Sequence, residues 1–291
     1  MNQPVVTAQT SLVGLIGWPL EHSLSPVMHN AAFAALSINW VYVPLPVRPE
    51  DVETALSGLA ALNFIGVNVT IPHKQAVMRY VDELSDAARQ TGAVNTIHIS
   101  DGKYYGYNSD AIGFLNSLHE ASCDPKGLRV VILGAGGAAR AAVYALARAG
   151  ADSVVVINRT AERAAFLVDD LNLAFPDSTL SFKELSAQTL IDLDHQVDLI
   201  VNTTSVGMYP HVEDSPWPIE VPLPNGATVC DLVYNPLETV FLAQARAAGA
   251  PTIDGLGMLI HQGAFALEQW TGQEAPVDIM RQACLEKLHF S

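Results

Sequence analysis

The chain has 291 residues, 49% of them apolar and 15% charged, which excludes a disordered chain and suits two domains that need neither disulfide nor metal to hold a core. Its 15 Lys+Arg stand against 30 Asp+Glu, a formal net charge of −15. That excludes general binding to nucleic acid or to an anionic membrane, because phosphate would be repelled.

Cys123, Cys230 and Cys284 are odd in number and widely spaced, so they form neither a disulfide framework nor a zinc pattern. Reduced thiols in the cytoplasm are the expectation. Met1 to Thr10 lacks a signal-peptide pattern, and no run of about 18 uncharged apolar residues predicts a transmembrane helix.

In chain order, Leu12 to Gly17 is a short apolar run. Pro26 to Leu36 reads as a helix with Ser25 as N-cap and Pro26 at its first position. Trp40 to Leu45 reads as a strand, Pro49 to Leu62 as a helix and Phe64 to Thr70 as a strand. Pro72 then opens a helix through about Tyr80. Ala93 to Ile99 and Lys103 to Tyr107 flank Asp101-Gly102, a hairpin signal. Ala111 to Leu118 follows as a helix, with Asp110 before it. After Asp124-Pro-Lys-Gly127 a second βαβ series starts, with strands at Leu128 to Leu133, Ser153 to Asn158, Asp198 to Asn202 and Thr228 to Leu232. Tyr209 to Gly226 is Pro-rich and acidic and reads as a surface loop. From Asp254 the pattern is helical to the end, a pair expected to pack on the first domain. Alternating strands and helices imply a mostly parallel α/β architecture, to which the hairpin adds an antiparallel edge.

Arg129-Val-Val-Ile-Leu-Gly134-Ala-Gly136-Gly137-Ala-Ala139-Arg140 fits G-x-G-x-x-A between strand and helix. Gly134 permits the tight turn, Gly136 lets the backbone approach a pyrophosphate, and Ala139 permits close packing. The helix N-terminus supplies N–H groups and a positive dipole end. The second strand ends Asn158-Arg159-Thr160, with Arg163 one turn on. An NAD site usually carries an acidic residue here, whereas Arg pairs with a 2′-phosphate. Arg159 and Arg163 thus favour NADP, unless they are merely solvated residues at a helix start.

Polar residues cluster at the expected strand ends of the first domain, where α/β sheets place sites. Ser23 and Ser25 can share a carboxylate with the helix N–H groups, or Ser25 simply caps. Thr70 can cap the helix opened by Pro72. Lys74 lies near that helix start, where a cation opposes the dipole, which makes a functional role more plausible than for an ordinary surface Lys. Asp110 is otherwise an N-cap, and Asn95 a turn residue.

Together these stretches resemble the shikimate dehydrogenase family. The resemblance is carried by Gly17-Trp-Pro19-Leu-Glu-His22-Ser23-Leu-Ser25-Pro26-Val-Met-His29-Asn30, Gly66-Val-Asn68-Val-Thr70-Ile-Pro72-His-Lys74, Gly92-Ala-Val-Asn95-Thr96 and Gly106-Tyr-Asn108-Ser109-Asp110-Ala-Ile-Gly113. Further on it is carried by Gly134 to Arg140, Asn158-Arg159-Thr160, Asn202-Thr-Thr-Ser-Val-Gly207-Met208 and Asp254-Gly255-Leu-Gly257-Met258-Leu-Ile-His-Gln262. It spans Gly14 to Gly272. One departure is Ser109, where Thr is common; the hydroxyl is kept.

The resemblance implies reversible reduction of 3-dehydroshikimate to shikimate with NADPH, in aromatic amino acid biosynthesis. It implies Lys74 and Asp110 as the catalytic pair. Ser23, Ser25 and Tyr234 would take the substrate carboxylate, and Thr70, Asn95, Asp110 and Gln262 the ring hydroxyls. Cofactor contacts would come from Gly134, Ala135, Gly136, Gly137, Ala138, Asn158, Arg159, Thr160, Arg163, Thr203, Gly255 and Met258. No metal is expected, because hydride transfer needs none and no metal-ligand spacing is present. His22, His29, His73 and His261 sit within motifs, where packing or hydrogen bonding is the expected role.

The expected fold is α/β in two domains with a cleft between them. An open mixed-sheet substrate domain comprises 1–110 and 255–291, and a Rossmann NADP-binding domain 111–254. The expected partner is a small-molecule substrate, with no nucleic acid and no membrane, in a monomer or homodimer. A quinate/shikimate dehydrogenase using NAD or NADP is the competing enzyme reading. A non-catalytic NADP-binding sensor is the competing non-enzyme reading, and it would need neither Lys74 nor Asp110.

Overall fold

A computed structural model describes residues 6–21, 23–193 and 197–289; His22 lies outside them. The chain divides into two units, Met1–Gly113 with Ile260–Ser291, and Phe114–Leu259. The expected boundaries, after residues 110 and 254, lie a few residues earlier.

The first unit runs β1 (Ser11–Gly17), α1 (Ser25–Ala35), β2 (Trp40–Pro46), α2 (Val52–Ala61), β3 (Phe64–Val69), β4 (Glu83–Leu84), α3 (Asp86–Thr91), β5 (Thr96–Ser100) and β6 (Lys103–Tyr107) into α4 (Ser109–Glu120). The mixed sheet has the order β2-β1-β3-β5-β6-β4. β1 pairs in parallel with β2 and β3, so its last five residues are buried and read as one apolar run. β5 is antiparallel to β3 and β6. Asp101 and Gly102 turn the hairpin with φ of 51° and 74°, the left-handed pair that a tight hairpin requires. One face of the sheet is closed by Val52, Leu56 and Leu59 of α2 over Ile16, Val67, Val69 and Ile97.

The second unit holds β7 (Arg129–Leu133), α5 (Gly137–Ala149), β8 (Ser153–Asn158), α6 (Ala161–Ala174), β9 (Thr179–Glu184), α7 (Ala187–Ile191), β10 (Leu199–Asn202), β11 (Thr228–Asp231), α8 (Val240–Ala247) and β12 (Thr252–Ile253). All its strands are parallel, in the order β12-β11-β10-β7-β8-β9. This is the doubly wound dinucleotide-binding order, whose switch point lies between β7 and β10. The chain then runs through α9 (Leu256–Thr271) to α10 (Val277–His289). Within the first unit α10 packs along α1, and Trp270 of α9 donates from Nε1 to the Ile97 carbonyl at 3.0 Å.

Four local expectations are corrected. No α-helix opens at Pro72; turns lead to a short 3-10 helix, Ala76–Tyr80. The Lys74 carbonyl, which a helix would use internally, instead accepts from the Val94 N–H at 2.8 Å. Lys74 therefore does not oppose a helix dipole, and Thr70 caps no helix. Ser25 is the first residue of α1 and Leu24 its N-cap, while Ser23 Oγ accepts from the Ser25 N–H at 3.3 Å. At α4 the cap is Asn108, not Asp110, since Asn108 Oδ1 accepts from the N–H groups of Asp110 and Ala111 at 3.1 and 3.3 Å. Finally, the loop from Tyr209 to Gly226 is not all surface. Trp217 and Val221 are buried in the second core, and Trp217 Nε1 donates to the Val221 carbonyl at 2.9 Å.

Candidate active site

Strand direction gathers the polar motifs of the first unit. β1, β3 and β6 point their C-terminal ends to one edge, and antiparallel β5 begins there. Ile16 pairs with Val69, Asn68 with Thr96, and Thr96 with Tyr107. The residues just beyond, Thr70, Asn95 and Asn108 to Asp110, therefore emerge side by side. The segment carrying Ser23 and Ser25 leaves the end of β1 at the same edge.

A hydrogen-bonded cluster forms there. Lys74 Nζ donates to Asp110 Oδ2 at 2.6 Å, with side chains 27% and 11% exposed. Asn95 Nδ2 donates to Asp110 Oδ1 at 2.8 Å, while Asn95 Oδ1 accepts from the Ser109 N–H at 2.7 Å. That second bond fixes which way the amide faces. Both carboxylate oxygens of Asp110 thus have a donor, and Asp110 presents its charge to the ammonium in one orientation. Gln262 Oε1, on α9, accepts from Ser109 Oγ at 3.5 Å. Ser25 is buried and Ser23 and Thr70 are half-buried at the same edge.

In the second unit, Gly134 follows β7 with φ of 110°, and a Cβ there would lie 2.8 Å from Thr203 Oγ1 and from Thr204 Cγ2. Only glycine meets both demands. Its N–H donates to the Ile157 carbonyl at 2.8 Å, locking the turn to β8. A Cβ at Gly136 or Gly137 would meet nothing within 4 Å, so the backbone entering α5 lies bare. Ala135 and Ala138 are half-buried beside it. Asn158 Nδ2 donates to the Thr160 carbonyl at 2.9 Å, shaping the turn that carries exposed Arg159 and Arg163. Bare N–H groups at a helix start with two unburied guanidinium groups after the second strand fit a dinucleotide bearing an extra phosphate.

Thr203 Oγ1 donates to the Leu133 carbonyl at 2.7 Å. Asp231, buried at the end of β11, accepts from Asn202 Nδ2 at 2.8 Å, Thr239 Oγ1 at 2.7 Å and the Val233 N–H at 3.0 Å. Burial pushes its carboxyl above the usual range. This knot fixes the segments after β10 and β11, which carry Thr203 and the half-buried Tyr234. Gly255 and Met258 are buried at the start of α9.

Three family models match the chain. They are the shikimate dehydrogenase substrate binding domain over residues 15–97, shikimate/quinate 5-dehydrogenase over 118–208, and the shikimate 5′-dehydrogenase C-terminal domain over 255–285. A curated relative from Moorella thermoacetica, shikimate dehydrogenase (NADP(+)), is 51% identical over 97% of this chain and 95% of its own. The chain belongs to the shikimate dehydrogenase family. A crystal structure of a shikimate dehydrogenase in complex with NADP+ matches with a TM-score of 0.90 and 43% identity, covering 98% of each chain. A quinate dehydrogenase from Corynebacterium glutamicum in complex with NAD matches with a TM-score of 0.89 and 36% identity, over 95% of this chain and 99% of that one.

Sequence reasoning left buried polar residues of the strands without a role, among them Asn68, Thr96, Asn202 and Asp231. The signal was present, since each is a polar residue within or ending an apolar strand. Such a group is kept only where it finds hydrogen-bond partners.

Proposed function

We propose that this chain is an NADPH-dependent oxidoreductase that reduces 3-dehydroshikimate to shikimate, reversibly. The observation that carries the reading is the Lys74–Asp110 pair, held by Asn95 at the strand edge where Ser23, Ser25 and Thr70 also gather. Bound NADPH supplies a hydride to the ketone carbon. The ketone oxygen takes up the bond pair as an alkoxide and needs a proton. The Lys74 ammonium stabilises that developing charge and donates the proton. Its 27% exposure lets solvent reprotonate it. Asp110 aims the ammonium and has no proton to give while it is ionised.

Ser23 and Ser25 offer hydroxyl donors at the start of α1, where the helix dipole also favours the substrate carboxylate. Thr70, Asn95, Asp110 and Gln262 take the ring hydroxyls, and the family resemblance adds Tyr234 to the substrate residues. Gly134 to Ala138 face the pyrophosphate; Asn158 to Thr160 and Arg163 take the adenosine phosphate; Thr203, Gly255 and Met258 complete the cofactor contacts. Among the described residues no helix is long and apolar enough to cross a membrane. Three free thiols fit a reducing cytoplasm.

The test is kcat/KM for shikimate and for quinate, each with NADP and with NAD. Shikimate with NADP is expected to dominate. Comparable quinate turnover or a preference for NAD would move the chain to the quinate/shikimate reading. No turnover with intact NADP binding would favour a sensor.

A further inference from the structure

A continuous buried chain of hydrogen bonds runs behind the Lys74–Asp110 pair. It begins at Tyr42 on β2, whose side chain is 2% exposed. The His29 ring stacks on Tyr42 with centroids 4.4 Å apart and planes 2° from parallel, and the phenol also bonds the Ser25 side chain. Tyr42 OH donates to Asn68 Oδ1 at 2.9 Å. Asn68 Nδ2 in turn donates to Thr96 Oγ1 at 3.0 Å and to the Asn95 carbonyl, an obligate acceptor, at 3.3 Å. Thr96 Oγ1 meets Ser109 Oγ at 3.2 Å, and Ser109 in turn bonds Asn95 on both faces of its amide. Asn95 then holds Asp110. Asn68, Thr96, Asn95 and Ser109 are all buried, so none can exchange its partner for water.

We infer that Tyr42, Asn68 and Thr96 are positioning residues that hold Asn95 in place and, through it, the carboxylate that aims Lys74. The inference rests on the proposed role of the Lys74–Asp110 pair. None of the three touches a reacting atom; Tyr42 anchors Asn68, Asn68 holds the Asn95 carbonyl and Thr96 Oγ1, and Thr96 Oγ1 donates to Asn95 Oδ1 at 3.4 Å. The Asn68 amide is held at both ends, its Oδ1 by the Tyr42 phenol and its Nδ2 by the Asn95 carbonyl and Thr96 Oγ1, so losing Tyr42 loosens the grip of Asn68 on its neighbours without reversing its amide.

The experiment is a double-mutant cycle on kcat between Tyr42→Phe and Asp110→Asn, read by single-turnover reduction with saturating NADPH. Tyr42→Phe alone is expected to lower kcat about 10-fold, the rate equivalent of one hydrogen bond, with the KM for NADPH unchanged. In the Asp110→Asn background the same change is expected to cost nothing further, because the carboxylate it orients is gone. A second pair guards against simple misfolding. Thr96→Val should lose activity as Tyr42→Phe does, and Thr96→Ser, which keeps the hydroxyl, should restore it. Additive losses in the cycle, full kcat in Tyr42→Phe, or equal loss in Thr96→Val and Thr96→Ser would overturn the inference. An unimpaired Asp110→Asn single variant would instead overturn the reading of the pair itself, and the positioning role with it.

Discussion

His29 is a proton-binding group placed where a proton cannot go. Its imidazole lies fully buried on α1, stacked on Tyr42 and 5.5 Å from the Trp270 ring. Neither ring nitrogen has a hydrogen-bond partner. Burial lowers its pKa from the ordinary 6.5 to about 3, because the cation would lose its solvation with nothing to replace it. Between those values the folded protein keeps His29 neutral while the unfolded chain binds the proton. Its contribution to stability is therefore complete above pH 6.5 and is lost as pH falls below it. The limiting slope for one such group is about 1.4 kcal/mol per pH unit, so moving from pH 7 to pH 5 costs about 2 kcal/mol. His29→Phe keeps a ring on Tyr42 and removes the titration. Its packing cost is the same at both pH values, and the carboxylates common to both proteins cancel. The assay is urea unfolding followed by tryptophan fluorescence at pH 7 and pH 5. The wild type is expected to lose about 2 kcal/mol more than the variant across that interval. Parallel losses in the two proteins would refute the reasoning.

Lys74→Ala is expected to lower kcat by about 10²- to 10⁴-fold with little change in KM, since a transition-state interaction is removed; comparable turnover in steady-state kinetics would refute the role. Gly134→Ala forces a side chain onto a φ of 110° and against Thr203 and Thr204, so it should cost about 1–3 kcal/mol in a denaturant melt and weaken NADPH in a fluorescence titration. Arg159→Ala should lower kcat/KM for NADP about 10- to 100-fold, the worth of a charged hydrogen bond, and leave NAD nearly untouched; equal losses with both cofactors would remove Arg159 from the phosphate site.

Much of the architecture was legible because periodicity and punctuation agreed. β7, β8, β10 and β11 are apolar runs bounded by Gly, Pro, Asp and Asn, and Asp101-Gly102 named its own hairpin. What escaped lacked a burial signal. In β9, Thr179–Glu184, Leu180 is the one buried residue, so no apolar run marks it. β4 and β12 have two residues each and exist only through their neighbours. The Pro72 segment failed for a different reason. Its composition permits a helix, but Val94 claims the Lys74 carbonyl, a long-range demand that local pattern cannot express.

The site divides along the same line. Residue types and motif order placed Lys74, Asn95 and Asp110 among the candidates, and the structure brings these three into direct contact. The local argument offered for Lys74, a cation at the wrong end of a helix, does not hold in this structure. What distinguishes Lys74 is a carboxylate 36 positions away, 2.6 Å from its ammonium. Likewise Asp110 reads locally as a cap, and Asn108 takes that role, leaving both Asp110 oxygens for side chains. A capping residue and a positioned carboxylate look alike in a sequence. They part only when the backbone shows which of two adjacent polar side chains satisfies the helix N–H groups, and so which one remains available for chemistry.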